Sequence, residues 1–412
     1  MKRVLFGLLL ACMILSLFVS CGKRDNPVRT RYLFHDVWQS TWEFPSLEGG
    51  IDGEWGVRRS VYVYLPSWYD ADGPHGAQLL NEGFSVLYLL HDLGGDFSTF
   101  VSVHKIGQLA DRLIEEGEIQ PMIIVMPDAS SLSVGGSFYT NSPLLGNYED
   151  YIIKELMARM DSSLHTYGSK PGNDWIPDPR YRAIGGLGMG AYGALRMSMD
   201  YDTTMFTAVS AMSPFASLEF FLTSETIDKV FEENGIAGDF SYSAYKTLNP
   251  WPDDDHPDKT YSQLVFAMAA SFSPRSTTGD DTTNFFTLAV DGVLRHGVDL
   301  PFDETRTIPP GSQIWNRWLQ YDVKTKLAND PDAFTDLNIY VECGDHNEFG
   351  LLDGNRALDQ LLSLYGQEHT YIEYSGYPSN PAGHDNFIYD RLEEVLKFHS
   401  RNFPPPAYRG AE

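Results

Sequence analysis

Cysteine and positive charge are both scarce in this chain. Of 3 cysteines, Cys12 and Cys21 lie near the start, and only Cys343 lies beyond them. One thiol cannot close an internal disulfide, so the fold must depend on its hydrophobic core. Cys343 itself lies in an apolar run, where a buried thiol is expected.

The chain is strongly acidic. It has 30 Lys+Arg and 56 Asp+Glu, which give a net charge of −26. Such a surface repels phosphate backbones and argues against nucleic acid as a partner.

Long hydrophobic runs are also missing, apart from one at the N-terminus. That run, residues 4–19, is shorter than the roughly 20 residues that a membrane-spanning helix needs. Lys2 and Arg3 precede it, and Ser20 and Cys21 follow it, which is the order of a signal peptide. The pattern resembles a bacterial lipoprotein signal, with cleavage before Cys21 and a lipid on its thiol. An ordinary secretory signal and an uncleaved anchor are the alternatives.

The rest of the chain is predicted to form one domain with an insertion. We expect a signal peptide at 1–20, a lipid-proximal tether at 21–46, a domain at 47–403 and a tail at 404–412. Residues 216–335 interrupt the rhythm of the domain with short helical stretches and loops rich in Pro and Asp. We interpret this segment as a cap over the sheet. No internal repeat is evident.

Strand-like and helix-like segments alternate through the domain. The predicted strands are apolar runs, at 61–65, 84–91, 121–127, 182–187, 206–213, 338–343 and 370–374. The helices are predicted from their apolar periodicity, at 100–115, 148–164, from 191 onward and at 391–403. Continuous apolar strands that alternate with helices are typical of an α/β fold, with a mostly parallel sheet covered on both faces.

A glycine-rich turn follows the predicted strand at 182–187. Gly186, Gly188 and Gly190 form G-x-G-x-G between that strand and a helix, which is the layout of the nucleophile elbow G-x-S-x-G. Here the central position, Gly188, has no side chain. A phosphate-binding loop would share the layout, although the spacing differs from the dinucleotide fingerprint G-x-G-x-x-G.

Six segments in one order carry a resemblance to a known family. They are 87–95 (LYLLHDLGG), 138–143 (FYTNSP), 147–151 (NYEDY), 182–195 (RAIGGLGMGAYGAL), 343–349 (CGDHNEF) and 383–385 (GHD). Together they resemble the putative-esterase family of α/β-hydrolases, which includes esterase D-like S-formylglutathione hydrolases, feruloyl esterases and the antigen 85 mycolyltransferases. The resemblance covers about residues 60–402 and implies an α/β-hydrolase fold.

The resemblance also implies a site. The serine of the family corresponds to Gly188, its triad acid to Asn347 and its histidine to His384. The main-chain N–H groups of Leu93 and Met189 correspond to the oxyanion hole, and such donors survive side-chain changes. With serine and acid both replaced, an inactive protein is expected.

Further residues are predicted to line the pocket. They are His91, Asp92, Tyr139 and Ser142, where the family's usual His-Gly reads His91-Asp92. Asp345 and Glu348 flank Asn347, and we consider whether either replaces the missing acid. We expect no cofactor and no metal site, because no calcium-binding spacing appears.

Three functions remain open at this point. The first is a catalytically impaired pseudo-esterase, an exported lipoprotein that binds a small-molecule or carbohydrate ester. The second is an active ester hydrolase or acyltransferase with a non-standard nucleophile. The third is a structural surface scaffold. On the first hypothesis, Gly188→Ser alone should give a weak esterase, and adding Asn347→Asp should improve it, because the imidazolium would regain a charged partner.

The predicted lipid can be tested directly. Because a lipoprotein signal ends at Ser20, intact-mass analysis of membrane-extracted protein should show a diacylglyceryl-sized increment on Cys21. A Cys21→Ser variant is the control and should lack the increment. A wild-type product with a free Cys21 thiol, or with Met1 retained, would contradict the prediction.

Overall fold

The computed structural model describes residues 37–52, 57–69, 83–169, 176–276, 285–290 and 293–406. The predicted signal peptide, Cys21 and most of the predicted tether lie outside these residues. Within them, no helix is long and apolar enough to cross a membrane.

The described chain contains an eight-stranded sheet, a three-stranded sheet and two short strand pairs. In chain order the strands are β1 Val37–Glu43, β2 Arg58–Tyr64, β3 Ser85–Leu90, β4 Met122–Pro127, β5 Asn141–Ser142, β6 Gly146–Asn147, β7 Gly168–Ser169, β8 Ile176–Pro177, β9 Arg182–Leu187, β10 Ala208–Met212, β11 Pro274–Ser276, β12 Phe285–Val290, β13 Val293–Asp299, β14 Asn338–Gly344 and β15 His369–Tyr374. The large sheet has the order β1-β2-β4-β3-β9-β10-β14-β15. Its first two pairings are antiparallel, and the five from β4 to β15 are parallel.

Helices cover both faces of this sheet. In chain order they are α1 Thr99–Ser102, α2 Ile106–Glu115, α3 Tyr148–Asp150, the π-helix Tyr151–Leu156, α4 Met157–Ser163, α5 Met189–Met205, α6 Leu218–Phe221, α7 Ser224–Glu232, α8 Tyr242–Tyr245, α9 Thr260–Phe272, α10 Gln313–Leu319, α11 Val323–Asn329, α12 Leu351–Leu364 and α13 Ile388–Asn402. Short 3-10 turns lie at Pro45–Leu47, Ser67–Tyr69 and Pro179–Tyr181. The α/β fold with a mostly parallel sheet is therefore confirmed.

Strand β3 shows how the sequence builds two cores. All six of its residues are buried. Leu87 and Leu89 pack on one face with α2 and α13, whereas Val86, Tyr88 and Leu90 pack on the other face with α5. Successive side chains of a strand point to opposite faces, so a continuous apolar run is what a doubly covered strand requires.

Two local predictions are wrong. Strand β1 lies inside the predicted tether at 21–46 and pairs with β2 along its whole length, so residues 37–43 belong to the sheet. The predicted helix at 100–115 is broken, because Lys105 adopts a left-handed conformation with φ +56° between α1 and α2. Val103, an apolar residue of the predicted helix, is 64% exposed at this break.

The segment predicted as a cap, 216–335, contains α6 to α11 and the three-stranded sheet. Its helix α9 lies close to the loop that follows β14. The Tyr261 hydroxyl donates to the main-chain oxygen of Glu348 at 2.8 Å, and the Tyr261 and Phe349 rings are 5.6 Å apart. The insertion therefore contacts the loop that carries Asn347.

A buried ion pair between Arg391 and Glu342 connects α13 to strand β14 of the large sheet. Arg391 donates to Glu342 of β14 at 2.6 Å, and the two side chains are only 4% and 3% exposed. Arg391 also donates to the Ser213 hydroxyl at 3.0 Å and to the main-chain oxygen of His384 at 2.7 Å. One guanidinium thus fixes α13, β14 and the loop of His384 relative to each other.

This pair gives a stability prediction. Arg391→Met leaves the Glu342 carboxylate buried without its partner, and we expect a loss of about 3–5 kcal/mol in the free energy of unfolding. Urea denaturation followed by circular dichroism measures it. Arg356→Met is the matched control, because its pair with Glu373 is 46% and 32% exposed and should be worth about 1 kcal/mol or less. Equal effects of the two substitutions would contradict the prediction.

Candidate active site

The site lies where parallel strands of the large sheet end. Asp92 follows β3, Gly188 follows β9, Asn347 follows β14, and His384 lies in the connection between β15 and α13. The carboxyl ends of parallel strands share one edge of the sheet. The structure therefore brings together the three residues aligned with the family triad, Gly188, Asn347 and His384, and it adds Asp92 to them.

Gly188 forms a sharp turn between β9 and α5. Its φ of +51° and ψ of −110° lie outside the ordinary helix and strand regions, and its N–H donates to the main-chain oxygen of Met212 at 2.9 Å. The approach of the backbones is very close at Gly190, where an added Cβ would lie 2.1 Å from the main-chain oxygen of Leu90. This is the geometry of a nucleophile elbow.

The side chain of Asp92 occupies the space where a serine would stand. A Cβ built on Gly188 would lie 2.1 Å from Asp92 Oδ1, 2.3 Å from Cγ and 2.4 Å from Oδ2. Asp92 in this rotamer and a side chain at position 188 cannot share this space. Glycine at 188 therefore permits the observed position of the aspartate.

One oxygen of this carboxylate fills the predicted oxyanion hole. Asp92 Oδ1 accepts hydrogen bonds from the main-chain N–H of Leu93 at 2.7 Å and from that of Met189 at 2.6 Å. These are the two donors that the sequence resemblance assigned to the hole. Both N–H groups therefore point at the Asp92 carboxylate and not into an open site.

The other oxygen contacts the histidine. Asp92 Oδ2 lies 2.7 Å from His384 Nε2, the nitrogen that meets the serine hydroxyl in a Ser-His-Asp triad. His384 is 1% exposed. Its main-chain N–H donates to Glu348 Oε2 at 2.7 Å, which fixes the backbone at this position. The imidazole ring lies 5.0 Å from the ring of Phe349.

Asn347 fixes which ring nitrogen of His384 carries a proton. Asn347 Oδ1 accepts from the Phe349 N–H at 3.1 Å, so the amide must turn its Nδ2 group toward His384 Nδ1, 3.1 Å away. In the neutral imidazole, an N–H donor facing Nδ1 makes Nδ1 an acceptor and leaves the proton on Nε2. Hydrogen-bond donation therefore runs from Asn347 to His384 and from His384 to Asp92. In a serine hydrolase it runs the other way, from the serine hydroxyl to the histidine and from the histidine to the acid.

The charge of Asp92 acts on the pKa of His384. Burial alone lowers this pKa, but the attraction of the Asp92 carboxylate and the hydrogen bond to it outweigh burial, and the pKa is raised above the usual 6.5. The carboxylate of the neighbouring Asp385 acts in the same direction, and Arg391 opposes it.

Among the described residues, Asp92, His384 and Asp385 form one group whose ligand atoms lie within 4.8 Å of one another. A cation bound there would compete with the Asp92–His384 hydrogen bond.

Three of the predicted pocket residues have a different role. His91, Tyr139 and Ser142 are buried, and their polar groups serve the main chain. His91 Nε2 accepts from the Ala129 N–H, the Tyr139 hydroxyl donates to the His91 oxygen, and the Ser142 hydroxyl donates to the Ala270 oxygen. These side chains support the loops around the site, and their contact with a ligand stays a prediction.

The candidate replacements for the missing acid do not contact the imidazole. Asp345 bonds to His346 and Ser375, and Glu348 accepts from the His384 main chain. Sequence reasoning missed that Asp92 supplies the carboxylate. The sequence did contain a signal for this. It departs from the family pattern at positions 92, 188 and 347 together, so that an acid appears at 92 where the serine at 188 and the acid at 347 are absent.

A pH dependence follows from the shifted pKa. Because the folded pKa of His384 is raised, its protonation stabilises the fold fully below pH about 6.5, and this contribution is lost as pH rises through the folded pKa. The free energy of unfolding of wild type minus that of His384→Gln should therefore fall between pH 5.5 and 9. Urea denaturation across this range measures it.

Asp92→Asn is the control for this measurement, because it removes the charge that raises the pKa of His384. In that background most of the pH dependence assigned to His384 should disappear. A difference between wild type and His384→Gln that stayed constant or grew with pH would contradict the assignment.

Comparisons with known proteins agree with the fold and the family. The model of the family described as "Putative esterase" matches residues 53–388. An esterase of Mycobacterium tuberculosis is 30% identical over 165 residues, which are 39% of this chain and 30% of that protein. An endo-1,4-beta-xylanase/feruloyl esterase of Xylanibacter ruminicola is 32% identical over 136 residues, or 33% of this chain and 17% of that protein. The matches thus span less than a third of these relatives.

Solved structures show the same fold at low identity. A ferulic acid esterase superposes with a TM-score of 0.52 at 20% identity. The match covers 90% of this chain and 100% of the esterase chain. An S-formylglutathione hydrolase from Agrobacterium tumefaciens superposes with a TM-score of 0.53 at 14% identity, covering 92% and 99%. With an eight-stranded α/β sheet, a nucleophile-elbow turn and a family match over most of its length, the chain belongs to the Putative esterase family of α/β-hydrolases.

Proposed function

We propose that this protein is a pseudo-esterase: an exported, lipid-anchored member of the esterase family that does not hydrolyse carboxylic esters. It keeps the site as a binding site for a small-molecule or carbohydrate ester. The observation that carries the proposal is the position of Asp92, whose carboxylate occupies the serine space and both oxyanion donors at once.

The loss of esterase chemistry follows from where charge must develop. In acyl transfer the substrate carbonyl oxygen becomes negative, and the oxyanion donors stabilise that charge. Here Leu93 and Met189 donate to Asp92 Oδ1, so a substrate oxyanion would approach a carboxylate instead of two N–H groups. Removing one such donor costs about 10²–10³-fold in kcat in other enzymes. Here both N–H donors are occupied by Asp92 Oδ1.

Ligand binding rests on the family and on the accessibility of the site. The Asp92 side chain is 19% exposed, so a ligand can reach it from solvent. Several relatives are named as esterases or feruloyl esterases, which favours an ester of a small molecule or of a carbohydrate. The ester carbonyl of such a ligand must lie outside the occupied oxyanion hole. Lipid anchoring at Cys21 rests on the signal sequence alone.

The structure changes the expected route back to an esterase. Gly188→Ser alone, expected from the sequence to give a weak esterase, places its Cβ against the Asp92 carboxylate and should stay at the background rate. Restoring the family pattern requires Asp92→Gly, Gly188→Ser and Asn347→Asp together. We expect only this triple variant to hydrolyse a short-chain nitrophenyl ester efficiently, since it regains nucleophile, free oxyanion donors and triad acid.

The assay compares wild type, Gly188→Ser, the triple variant and the double variant that keeps Asn347, all checked for equal folding by circular dichroism. The double variant should be slower than the triple variant by up to about 10⁴-fold, because its imidazolium lacks a charged partner. Adding His384→Ala to the triple variant should abolish turnover. Ester hydrolysis by wild type that His384→Ala abolishes would refute the proposal.

A further inference from the structure

We propose that Asp92 is a nucleophile toward alkylating carbon electrophiles, such as alkyl halides and epoxides, and that Asn347 makes the resulting aspartyl ester long-lived. This activity goes beyond the proposed function and rests on one part of it, the occupation of the oxyanion hole by Asp92. The site would capture such a molecule covalently, by a reaction that needs no serine.

The two oxygens of Asp92 stand in the two reactive positions of the site. Oδ2 is hydrogen-bonded to His384 Nε2, where a triad places its nucleophilic oxygen. Oδ1 is held by the N–H groups of Leu93 and Met189, where a triad places the developing oxyanion. The carboxylate is thus aligned, partly exposed at 19%, and still has a second lone pair on Oδ2 after the bond to His384.

This alignment selects the type of electrophile. Attack on an ester carbonyl would create a second oxyanion that has no donors, because both N–H groups already bind Oδ1. Attack on a saturated carbon creates no oxyanion. Carboxylates are established covalent nucleophiles in enzymes. The geometry therefore favours alkyl over acyl transfer.

The covalent step balances without a co-reactant. A lone pair of Asp92 Oδ2 forms a bond to the carbon of an alkyl bromide, the carbon–bromine bond breaks, and bromide leaves with the electron pair. The product is a neutral alkyl ester of Asp92. Its carbonyl oxygen, Oδ1, still accepts from Leu93 and Met189, so the hole is already placed for water to attack Cγ.

Hydrolysis of this ester is where Asn347 acts. Water attacks Cγ, the Cγ–Oδ2 bond breaks, and the alcohol leaves with Oδ2 and a proton. His384 can take the proton of water only if Nε2 is free of its own, yet the Asn347 amide facing Nδ1 keeps the proton on Nε2. His384 is then no base, and the ester accumulates. A carboxylate at 347 would accept from Nδ1 and free Nε2.

The test uses the full protein and 1-bromobutane as probe. Wild type should gain a single butyl group, mapped by peptide mass spectrometry to Asp92. Asp92→Asn should lose this adduct, because the amide keeps the shape but not the anionic nucleophile. Asp353 gives an internal comparison, since its side chain is 69% exposed and bulk alkylation would favour it over Asp92. Butylation of Asp92 that is no faster than that of Asp353 overturns the proposal.

Asn347→Asp tests the second step. In this variant the adduct should become transient and butanol should be released. In water enriched in ¹⁸O, the first turnover should label the Asp92 carboxylate and leave the butanol unlabelled. Label that appears first in butanol would mean direct attack by water and would overturn the covalent route. The nitrophenyl ester assay on the same samples separates the two proposals, because wild-type ester hydrolysis refutes the pseudo-esterase and a missing adduct refutes only the nucleophile.

Discussion

The carboxylate of Asp92 is the constraint on which the site depends. Three loops, which follow β3, β9 and β15, each present a donor toward this carboxylate. Two of these donors are main-chain N–H groups, which every side-chain substitution except that to proline leaves in place. A buried N–H without a partner costs about 1–3 kcal/mol. A carboxylate that accepts from Leu93, Met189 and His384 satisfies all of them at once.

The departures from the family pattern form one exchange. The family places its acid opposite Nδ1 of the histidine, and here that position holds Asn347, whereas Asp92 supplies a carboxylate opposite Nε2. The site still contains one histidine and one acid, but the acid lies beside Nε2 of the imidazole, whereas in the family it lies beside Nδ1. The changes fit one another, because Asp92 in its observed rotamer leaves no room for a side chain at 188, and a donor at 347 keeps the Nε2 proton that Asp92 accepts.

The sequence predicts most of the fold because burial on both faces produces runs that can be recognised. All six residues of β3, β4 and β9 are buried, and each strand was predicted within a residue or two. Strand β1 was missed because it lies at the sheet edge in a polar segment, where only its pairing with β2 defines it. The break at Lys105 depends on one backbone angle that no periodicity reports.

The site was predictable in position but not in chemistry. Gly188, Asn347 and His384 could be aligned with a motif because each follows a strand whose end is fixed by topology. The role of Asp92 depends on its carboxylate reaching the Gly188 turn, 96 residues further along the chain, so closely that a Cβ built on Gly188 would lie 2.1 Å from Asp92 Oδ1. Sequence spacing does not contain such distances. A shared fold therefore fixes where chemistry can occur, while the position of one charged group decides which chemistry it is. In this protein the main-chain donors of an esterase are intact, and the negative charge they bind belongs to the protein rather than to a substrate.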